Sequence, residues 1–327
     1  MIVYLKTAIV CSALTASVAM YGQDGSTLTI NENPAPLMPK PADVASADTN
    51  WTKGGTFGLN LSQVHLENWA AGGQSSVSAT GLVNLFANYK KGKGQWDNTL
   101  DLAYGLLRQG QNGVVLKTDD KIDFASKYGH QASQHWFYSA LLNFRTQFAP
   151  GYNIVNGVPD KTNKISDLLS PAYMLASIGM DYKPNSKFTA FLSPATYKMT
   201  VVLDSALSSV GAYGVDPGTN VRSEIGGYVR LGYTTDLVEN VSLMTRIDLF
   251  SNYINNPQNI DINWETLISM KVNKFMSATI STQLLYDDDV ILQKKDPVLE
   301  DGVVLDSGRG PGVQFKEVLA IGFSYKF

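Results

Sequence analysis

The chain has 327 residues, of which 44% are hydrophobic, 10% aromatic and 17% charged. Its 26 Lys+Arg against 29 Asp+Glu give a net charge of -3, and no basic face stands out, so we expect no nucleic-acid partner. A mean hydropathy of -0.08, without any apolar run of about 18 residues, excludes a polytopic helical membrane protein. Three histidines and one cysteine leave little material for a His/Cys metal site, and we expect no cofactor.

Residues 1–22 have the pattern of a secretory signal peptide. Lys6 supplies the positive charge, residues 7–18 form the apolar segment, and small residues end it. The pattern is compatible with cleavage after Ala19 and with cleavage after Gly22. Cys11, the one cysteine of the chain, lies within this segment, so we expect a mature protein without cysteine chemistry.

Residues 23–50 differ in composition from the rest of the chain. Pro34, Pro36, Pro39 and Pro41 lie among Ala, Asp, Ser and Asn, and the segment has no apolar periodicity. We expect a disordered periplasmic tail that leads into one domain, residues 51–327.

From residue 51 onward, apolar and polar residues alternate with the period of two that is typical of half-buried strands. In the last segment, Leu319–Phe327, every second side chain is apolar and the chain ends in an aromatic ring. The alternation predicts twelve strands, at about 52–63, 75–90, 95–108, 117–128, 134–149, 172–183, 187–203, 221–235, 241–251, 260–272, 276–287 and 314–327.

The length and spacing of these strands favour a transmembrane barrel over a soluble sandwich, which alternation alone would also allow. The predicted strands have about 11–17 residues, whereas soluble strands have about 5–6 and a membrane strand needs about 9–11. Short and long connections alternate, as they do between the two ends of an outer-membrane barrel, and twelve is an even number. We therefore expect an all-β, antiparallel up-and-down barrel in the outer membrane of a Gram-negative bacterium, with both termini periplasmic.

Aromatic residues gather beside the short connections, on the apolar face of the predicted strands. This is where a girdle at the membrane interface belongs, because amphipathic rings prefer the headgroup level. The residues are Tyr89, Trp96, Tyr128, Trp136, Tyr182, Phe188, Tyr233 and Phe327. Pro194 lies inside the seventh strand, where it removes a hydrogen-bond donor, so we expect a bulge or break there.

Several short motifs between residues 63 and 289 recur together in one protein family. They are QVHLENWAAGG at Gln63–Gly73, Trp96–Asn98, Tyr104–Gly105, KTDDK at Lys117–Lys121, TQFAPG at Thr146–Gly151, Ser170–Pro171, Ser193–Pro194, NIDINW at Asn259–Trp264 and YDDD at Tyr286–Asp289. With this set the chain resembles a Bacteroidetes-type family of outer-membrane β-barrel proteins catalogued as a domain of unknown function. The resemblance covers nearly the whole barrel and implies that fold and location. It brings no activity and no residue roles.

Charged residues of both signs lie on the polar face of the predicted strands, and we expect them to face the lumen. They are Asp97, Asp101, Lys121, Asp123, Arg145, Arg222, Glu224, Arg230, Arg246, Asp248, Asp261 and Glu265. They predict either a pore that sorts solutes by charge or a network of ion pairs that fills a closed interior. A barrel of twelve strands fits both interpretations, and we favour a narrow or plugged lumen.

The segment that begins at Asn68 is the candidate plug. Gly72 and Gly73 permit a close approach of the backbone, and Trp69 is large enough to fold inward as a lid. A simple turn would not need a tryptophan. We therefore expect this segment to constrict the lumen.

We expect no catalytic site, but the alternative is a lipid hydrolase or deacylase centred on His65, at the outer end of the first strand. No G-x-S-x-G motif accompanies His65, and a loop histidine is the favoured interpretation. Asp287, Asp288 and Asp289 supply the hard oxygen ligands that suit Ca²⁺ or Mg²⁺. Because they are consecutive rather than alternate, a solvated acidic loop is favoured over a metal site.

The sequence therefore predicts a narrow channel or solute-transport barrel with a polar, charged lumen. One alternative is a structural or assembly component of an envelope complex, and the lipid-modifying enzyme is another. The expected partners are outer-membrane lipid and lipopolysaccharide, the barrel-assembly machinery through the C-terminal strand that ends at Phe327, and an envelope protein.

Overall fold

The computed structural model describes residues 50–66, 74–110, 113–155, 157–290, 292–293 and 308–327. The predicted signal peptide, almost all of the predicted tail and the candidate plug at Asn68, Trp69, Gly72 and Gly73 lie outside the described residues. What the sequence predicts for these segments stays a prediction.

Twelve long antiparallel strands close into a barrel, as predicted. They are β1 (Trp51–Val64), β2 (Ser76–Lys91), β3 (Gly94–Gln109), β4 (Val114–Gln131), β5 (Trp136–Thr146), β8 (Ala172–Tyr182), β9 (Phe188–Val201), β10 (Val221–Val238), β11 (Val241–Asn252), β12 (Ile260–Lys271), β13 (Met276–Tyr286) and β16 (Gln314–Lys326). Each pairs with its neighbour in chain order, and β16 pairs with β1 to close the ring. Every predicted strand corresponds to one of these.

Further short elements lie in the long connections, where the sequence predicts only loops. A hairpin of β6 (Gly151–Val155) and β7 (Val158–Ser166) follows β5, and a small pair of β14 (Leu292–Gln293) and β15 (Arg309–Gly310) precedes β16. Helix α1 (Ser205–Ser209) and a 3₁₀ turn (Ala212–Gly214) lie between β9 and β10. No helix in the described part of the chain is both long and apolar enough to cross a bilayer.

The outer surface of the barrel is apolar, because every second side chain of each strand points outward. In β16 the outward residues Phe315, Leu319, Ile321 and Phe323 are each more than half exposed, whereas the alternate residue Gly322 is buried. Closure of the ring pairs the backbone groups that an open sheet would leave at its edges, which is the condition for strands to span lipid. The chain is therefore an outer-membrane barrel.

The barrel has two different ends. Short turns join strands at one end, where β1 also begins and β16 finishes, and the long connections lie at the other, which we call the outer end. Aromatic rings gather at the short-turn end as predicted: the rings of Trp51 and Tyr89 are 5.0 Å apart, and those of Trp136 and Tyr182 are 4.7 Å apart. That this end faces the periplasm stays a prediction.

The wall has a bulge at Pro194 in β9, which confirms the expectation from proline chemistry. The pairing register of β9 shifts against both β8 and β10 at this point. Ser193 Oγ donates to the carbonyl oxygens of Ile178 and Ala195, at 2.9 and 3.0 Å. At the bulge, the hydroxyl of Ser193 is therefore the hydrogen-bond donor for these two backbone carbonyls. Beyond the bulge, the residues of β9 that point inward have even instead of odd numbers.

Candidate functional site

The charged residues that the sequence predicts for the lumen lie on the inner face of the barrel strands. At the short-turn end, Asp97 faces Lys183 Nζ at 3.8 Å, and Asp181 binds both Lys127 at 2.7 Å and Lys183 at 3.2 Å. The other predicted charges lie at mid-height or near the outer end. Whether any of them selects solutes stays a prediction.

At mid-height, one carboxylate gathers three guanidinium groups. Asp248 lies 2.5 Å from Arg230 Nε, 3.4 Å from Arg246 Nε and 3.9 Å from Arg145. The hydroxyl of Tyr228 donates to the same carboxylate at 2.7 Å. Because β5 and β11 are four strands apart in the ring, the contact between Arg145 and Asp248 passes through the lumen.

These pairs continue to opposite walls. Arg145 Nε lies 3.2 Å from Asp123, which lies 3.3 Å from Lys121 Nζ on the same strand, β4. On the other side, Arg246 binds Glu265 of β12 at 2.7 Å. Strands β4 and β12 are six positions apart in a ring of twelve, so the chain of ion pairs crosses the full width of the barrel.

We call this layer the septum. Including Asp101, which receives a hydrogen bond from Asn84 and lies in the field of Lys121, the septum contains four acids and four bases. Its members are Asp101, Lys121, Asp123, Arg145, Arg230, Arg246, Asp248 and Glu265.

The septum is nearly dry. Lys121 and Glu265 are 2% and 1% exposed. Amides hydrogen-bond to two of the acids: Asn143 donates to Asp123 at 2.7 Å, and Asn263, which accepts from Gln283 at 2.9 Å, donates to Glu265 at 3.3 Å. Buried charges survive only when they are paired and hydrogen-bonded, because their desolvation is otherwise uncompensated. The geometry thus favours the filled interior over a wide pore at this level.

An apolar cluster lies beside the septum on the inner wall. Leu141, Phe191, Tyr228 and Phe250 pack together from four strands, with Leu175 against them. Phe191 and Tyr228 meet edge to face, with ring centroids 6.2 Å apart. This part of the lumen is therefore packed like the core of a soluble domain.

Between the septum and the outer segments lies a cavity of about 110 Å³. Its lining includes Arg145, Arg230 and Asp248 of the septum. Tyr213 of the 3₁₀ turn and Val290 line it as well, so outer connections contribute to its wall. The cavity therefore occupies the outer half of the lumen.

The side of the cavity toward the outer end carries a second group of charges. Lys198 Nζ lies 2.7 Å from Asp261, 3.5 Å from Asp287 and 3.6 Å from Glu224. Arg222 forms ion pairs with Glu224, at 3.0 Å, and with Asp289. Here too each charge is close to one of the opposite sign.

The three consecutive aspartates, the weak candidates for a metal site, point to separate partners. Asp287 faces Lys198, Asp289 pairs with Arg222, and Asp288 accepts a hydrogen bond from Asn259 Nδ2 at 2.5 Å. Among the described residues, no three His, Cys, Asp or Glu side chains are grouped so that they could hold a metal ion. In the described structure these aspartates tie the outer segments to the barrel.

The outer connections form an ordered cover, which we call the lid and define as β6, β7, α1 and the 3₁₀ turn. Asp204 caps α1 by accepting from the backbone N–H groups of Ala206 and Leu207, at 3.0 and 3.1 Å. Lys164 of β7 reaches Asp204 at 2.8 Å, and the hydroxyl of Tyr213 donates to the carbonyl of Ile165. The hairpin and the helix are thereby held together.

Replacement of Lys164 by methionine should loosen α1. The hydrogen bond from Lys164 holds the pKa of Asp204 below its ordinary value of 3.8, and Asp167 and Asp204 raise the pKa of Lys164. The contact is therefore present at pH 7, is lost as the pH falls through the lowered pKa of Asp204, and is lost at alkaline pH only above the raised pKa of Lys164. In Lys164→Met, we expect amide hydrogen exchange of Ser205–Ser209 to be about two- to fivefold faster at pH 7.

The matched control is Lys161→Met, which removes an exposed lysine from the same strand. It should leave exchange of the α1 amides unchanged. Equal exchange in both variants would show that Lys164 does not hold the lid.

The motifs KTDDK and TQFAPG, far apart in sequence, meet at the outer rim. The carboxylate of Asp120 accepts from the backbone N–H groups of Phe148 and Ala149, at 2.7 and 3.0 Å. Lys117 donates to Asp120 at 2.8 Å and to the carbonyl of Ala149 at 2.7 Å. The ring of Phe148 packs edge to face on Tyr104, which belongs to a third motif. These residues fix the start of the lid.

The candidate catalytic residue His65 directly follows β1, at the outer end, and its side chain is exposed. The hydroxyl of Ser75, in the facing segment, is bound to the backbone of Leu66 at 2.9 Å.

Sequence reasoning missed Lys198, which lies at the centre of the outer charge group. The reason is the bulge at Pro194, because counting every second residue from Phe191 places Lys198 on the lipid face. It also missed Asn143, Tyr213 and Gln314, since uncharged polar side chains carry no distinctive signal in an alternating sequence. The motif around Asp261, which is rich in aspartate and asparagine, was the feature of the sequence that could have pointed to the outer charge group.

Comparison with known proteins adds little to these observations. A protein family described as "Protein of unknown function (DUF3078)" matches residues 61–152, which confirms the resemblance to a family of unknown function for those residues; its extension over the rest of the barrel and its Bacteroidetes-type character stay predictions. No curated protein matches the chain.

Solved structures that resemble the chain are distant. An outer-membrane channel from Pseudomonas putida F1 is 11% identical, with a TM-score of 0.40, over 89% of this chain and 100% of that one. The translocator domain of the autotransporter NalP from Neisseria meningitidis is 10% identical, with a TM-score of 0.35, over 85% and 88%. The toluene transporter TodX from P. putida is 10% identical, with a TM-score of 0.32, over 86% and 80%. Similarities of this size do not identify a function.

Proposed function

We propose that this protein is a narrow, gated solute-transport barrel of the outer membrane. The observation that carries the proposal is a cavity in the outer half of the lumen, directly above a septum of ion pairs that reaches from one wall to the opposite wall. A solute would enter the cavity from the outer end and pass only when the septum parts.

The chemistry of the septum supports a gate that does not admit ions of one sign in preference to the other. Its four acids and four bases balance, so neither cations nor anions are favoured by its net charge. Long side chains such as Lys121, Arg145 and Arg246 can exchange one partner for another by rotation about their side-chain bonds. Each carboxylate can then be satisfied by water or by a passing polar solute.

Planar-bilayer recordings test this function. We expect the wild-type protein to give small conductance steps, because the septum leaves little free cross-section. In the double variant Asp123→Ala/Arg145→Ala, which removes one pair of opposite charges and shortens two side chains in the septum, we expect a several-fold larger step. Because one acid and one base are removed together, the septum keeps its balance of charge, and Asp101 and Glu265 remain as the acids near Lys121.

The matched control is Asp97→Ala/Lys183→Ala, which removes a pair at the short-turn end and leaves the septum intact. It should keep the wild-type step size. Absence of steps above background in both the wild type and the septum double variant would contradict a transport barrel and would favour the structural or assembly role.

The catalytic alternative ranks lower. His65 is exposed at the rim, and the neighbouring hydroxyl of Ser75 already binds the backbone. A hydrolase would need a nucleophile and base within about 3 Å of each other. Unchanged phospholipid and lipid A profiles in cells that carry His65→Ala would agree with a protein that is not an enzyme.

The same proposal includes the neighbours of the barrel. Outer-membrane lipid and lipopolysaccharide would contact its apolar belt, and the barrel-assembly machinery would bind the C-terminal strand that ends at Phe327. In that strand the rings of Tyr325 and Phe327 stack with centroids 6.3 Å apart on the exposed face. An envelope protein partner would bind the outer segments or the tail.

A further inference from the structure

We infer that the lumen cavity binds a small, uncharged, hydroxyl-rich ring, that is, a neutral monosaccharide or a solute of the same chemistry. The inference names the substrate class for the proposed transport function and rests on it. Binding and passage are nevertheless separate events and are measured separately below.

The size of the cavity limits the solute. It measures about 110 Å³, and a water molecule requires about 10–15 Å³ of cavity volume. The cavity therefore has room for roughly seven to eleven waters. Sites for drug-sized ligands are larger, at about 300–1,000 Å³. A solute with about a dozen non-hydrogen atoms is the largest that fits without rearrangement.

The charges of the lining argue against an ionic solute. Three cations and three carboxylates line the cavity: Arg145, Lys198, Arg230, Asp248, Asp261 and Asp287. They pair with one another or with neighbours on the wall. An ion would have to displace one of these partners and leave it buried without a counter-charge, which is costly. A hydroxyl can instead donate to a carboxylate or accept from a guanidinium while each pair stays intact.

The apolar part of the lining suits a ring. Tyr228, Phe250 and Leu175 form a contiguous patch, because all three belong to the apolar cluster of the inner wall. Tyr173 and Tyr286 add two more rings to the lining. A sugar ring presents C–H groups on its face and hydroxyls at its edge, so it can pack on such a patch and still reach polar groups around it. A purely apolar solute would leave the polar groups of the lining without partners.

One side chain of the lining has an unused hydrogen-bonding atom. Gln314, on the first position of β16, lines the cavity, and its Oε1 is buried without a donor among the described residues. A buried acceptor without a partner is costly. A hydroxyl donor in the cavity would satisfy Gln314 Oε1, whereas a carboxylate or a hydrocarbon could not.

Isothermal titration of the purified barrel in detergent tests this inference. The probes are neutral monosaccharides (glucose, galactose, mannose and xylose), with serine as a zwitterion, lactate as an anion and toluene as an apolar ring. We expect at least one sugar to bind, and to bind at least tenfold more tightly than serine, lactate or toluene. In Gln314→Leu, the sugar affinity should fall about fivefold to tenfold, as is usual for the loss of one hydrogen bond.

The matched control is Gln95→Leu, the same substitution at the short-turn end of β3, away from the cavity. It should bind the sugar as the wild type does. If leucine at position 314 prevents barrel formation, Gln314→Asn, which withdraws the amide by one methylene, should weaken binding in the same direction.

Three outcomes overturn the inference: no sugar binds, another probe class binds more tightly, or Gln314→Leu and Gln95→Leu behave alike. Bilayer recordings keep this result separate from the transport proposal. Sugar binding without conductance would support the site and contradict transport, whereas conductance without sugar binding would support transport and contradict the substrate class.

Discussion

Replacement of Asp248 by alanine should lower the free energy of unfolding by about 3–5 kcal/mol, the usual cost of removing one partner from a buried ion-pair network. Asp248 is 8% exposed and lies within 4 Å of Arg145, Arg230 and Arg246. Without it, Arg230 loses its carboxylate in a nearly dry layer, and the three guanidinium groups repel one another. Urea unfolding of the barrel in lipid vesicles or detergent, followed by tryptophan fluorescence, measures the change.

The control for this experiment is Asp97→Ala. Asp97 also faces a lysine inside the barrel, but at 3.8 Å and with 38% of its side chain exposed. Exposed pairs contribute about 0–1 kcal/mol, so this variant should stay within 1 kcal/mol of the wild type. Similar small losses in both variants would mean that water fills the lumen at the height of Asp248 and that the septum is not a closed layer.

The barrel itself could be predicted from the sequence because lipid and lumen demand opposite side chains on successive residues. That demand extends through all twelve strands, and the structure confirms each of them within a few residues. Low charge and near-zero mean hydropathy follow from the same alternation, since an apolar and a polar face cancel in the average. The exception is informative: at Pro194 one extra residue shifts the period, and Lys198 points into the lumen against the simple count.

The state of the lumen could not be predicted, because a sequence lists charges without their partners. The same residues are compatible with an open pore and with a septum. Whether the lumen is open or closed depends on which long side chains form ion pairs across the barrel. Arg145 and Asp248 are 103 positions apart in sequence and on strands that do not touch. The lid was missed for a related reason, since α1 is too short to show periodicity and depends on contacts with Lys164 and Tyr213.

The family motifs gain a physical explanation from the structure. Lys117 binds Asp120, and Asp120 accepts a hydrogen bond from the backbone N–H of Phe148, so two motifs are joined at this point. Asp261 and Asp287, which belong to two other motifs, both form ion pairs with Lys198. These motifs thus lie at the rim of the lid and at the upper side of the cavity. A chain that needed only to span the membrane would require alternation, not these particular pairs.

The second large effect is expected for Phe191→Ala, which should lower the free energy of unfolding by about 3–5 kcal/mol. Phe191 is 1% exposed and packs with Leu141, Tyr228 and Phe250. Its removal leaves a cavity on the inner wall that the surrounding strands cannot fill, since each is fixed by hydrogen bonds to two neighbours. The measurement is again urea unfolding, compared at equal lipid or detergent concentration.

Phe275→Ala is the matched control, because this phenylalanine lies in the turn between β12 and β13 and is 59% exposed. It should cost less than 1 kcal/mol, as surface substitutions away from specific contacts usually do. A porin-like, water-filled interior predicts a small loss for Phe191→Ala as well, since a side chain in water contributes little packing. A loss at Phe191 several times that at Phe275 would therefore show that this barrel has a solid core beside its septum.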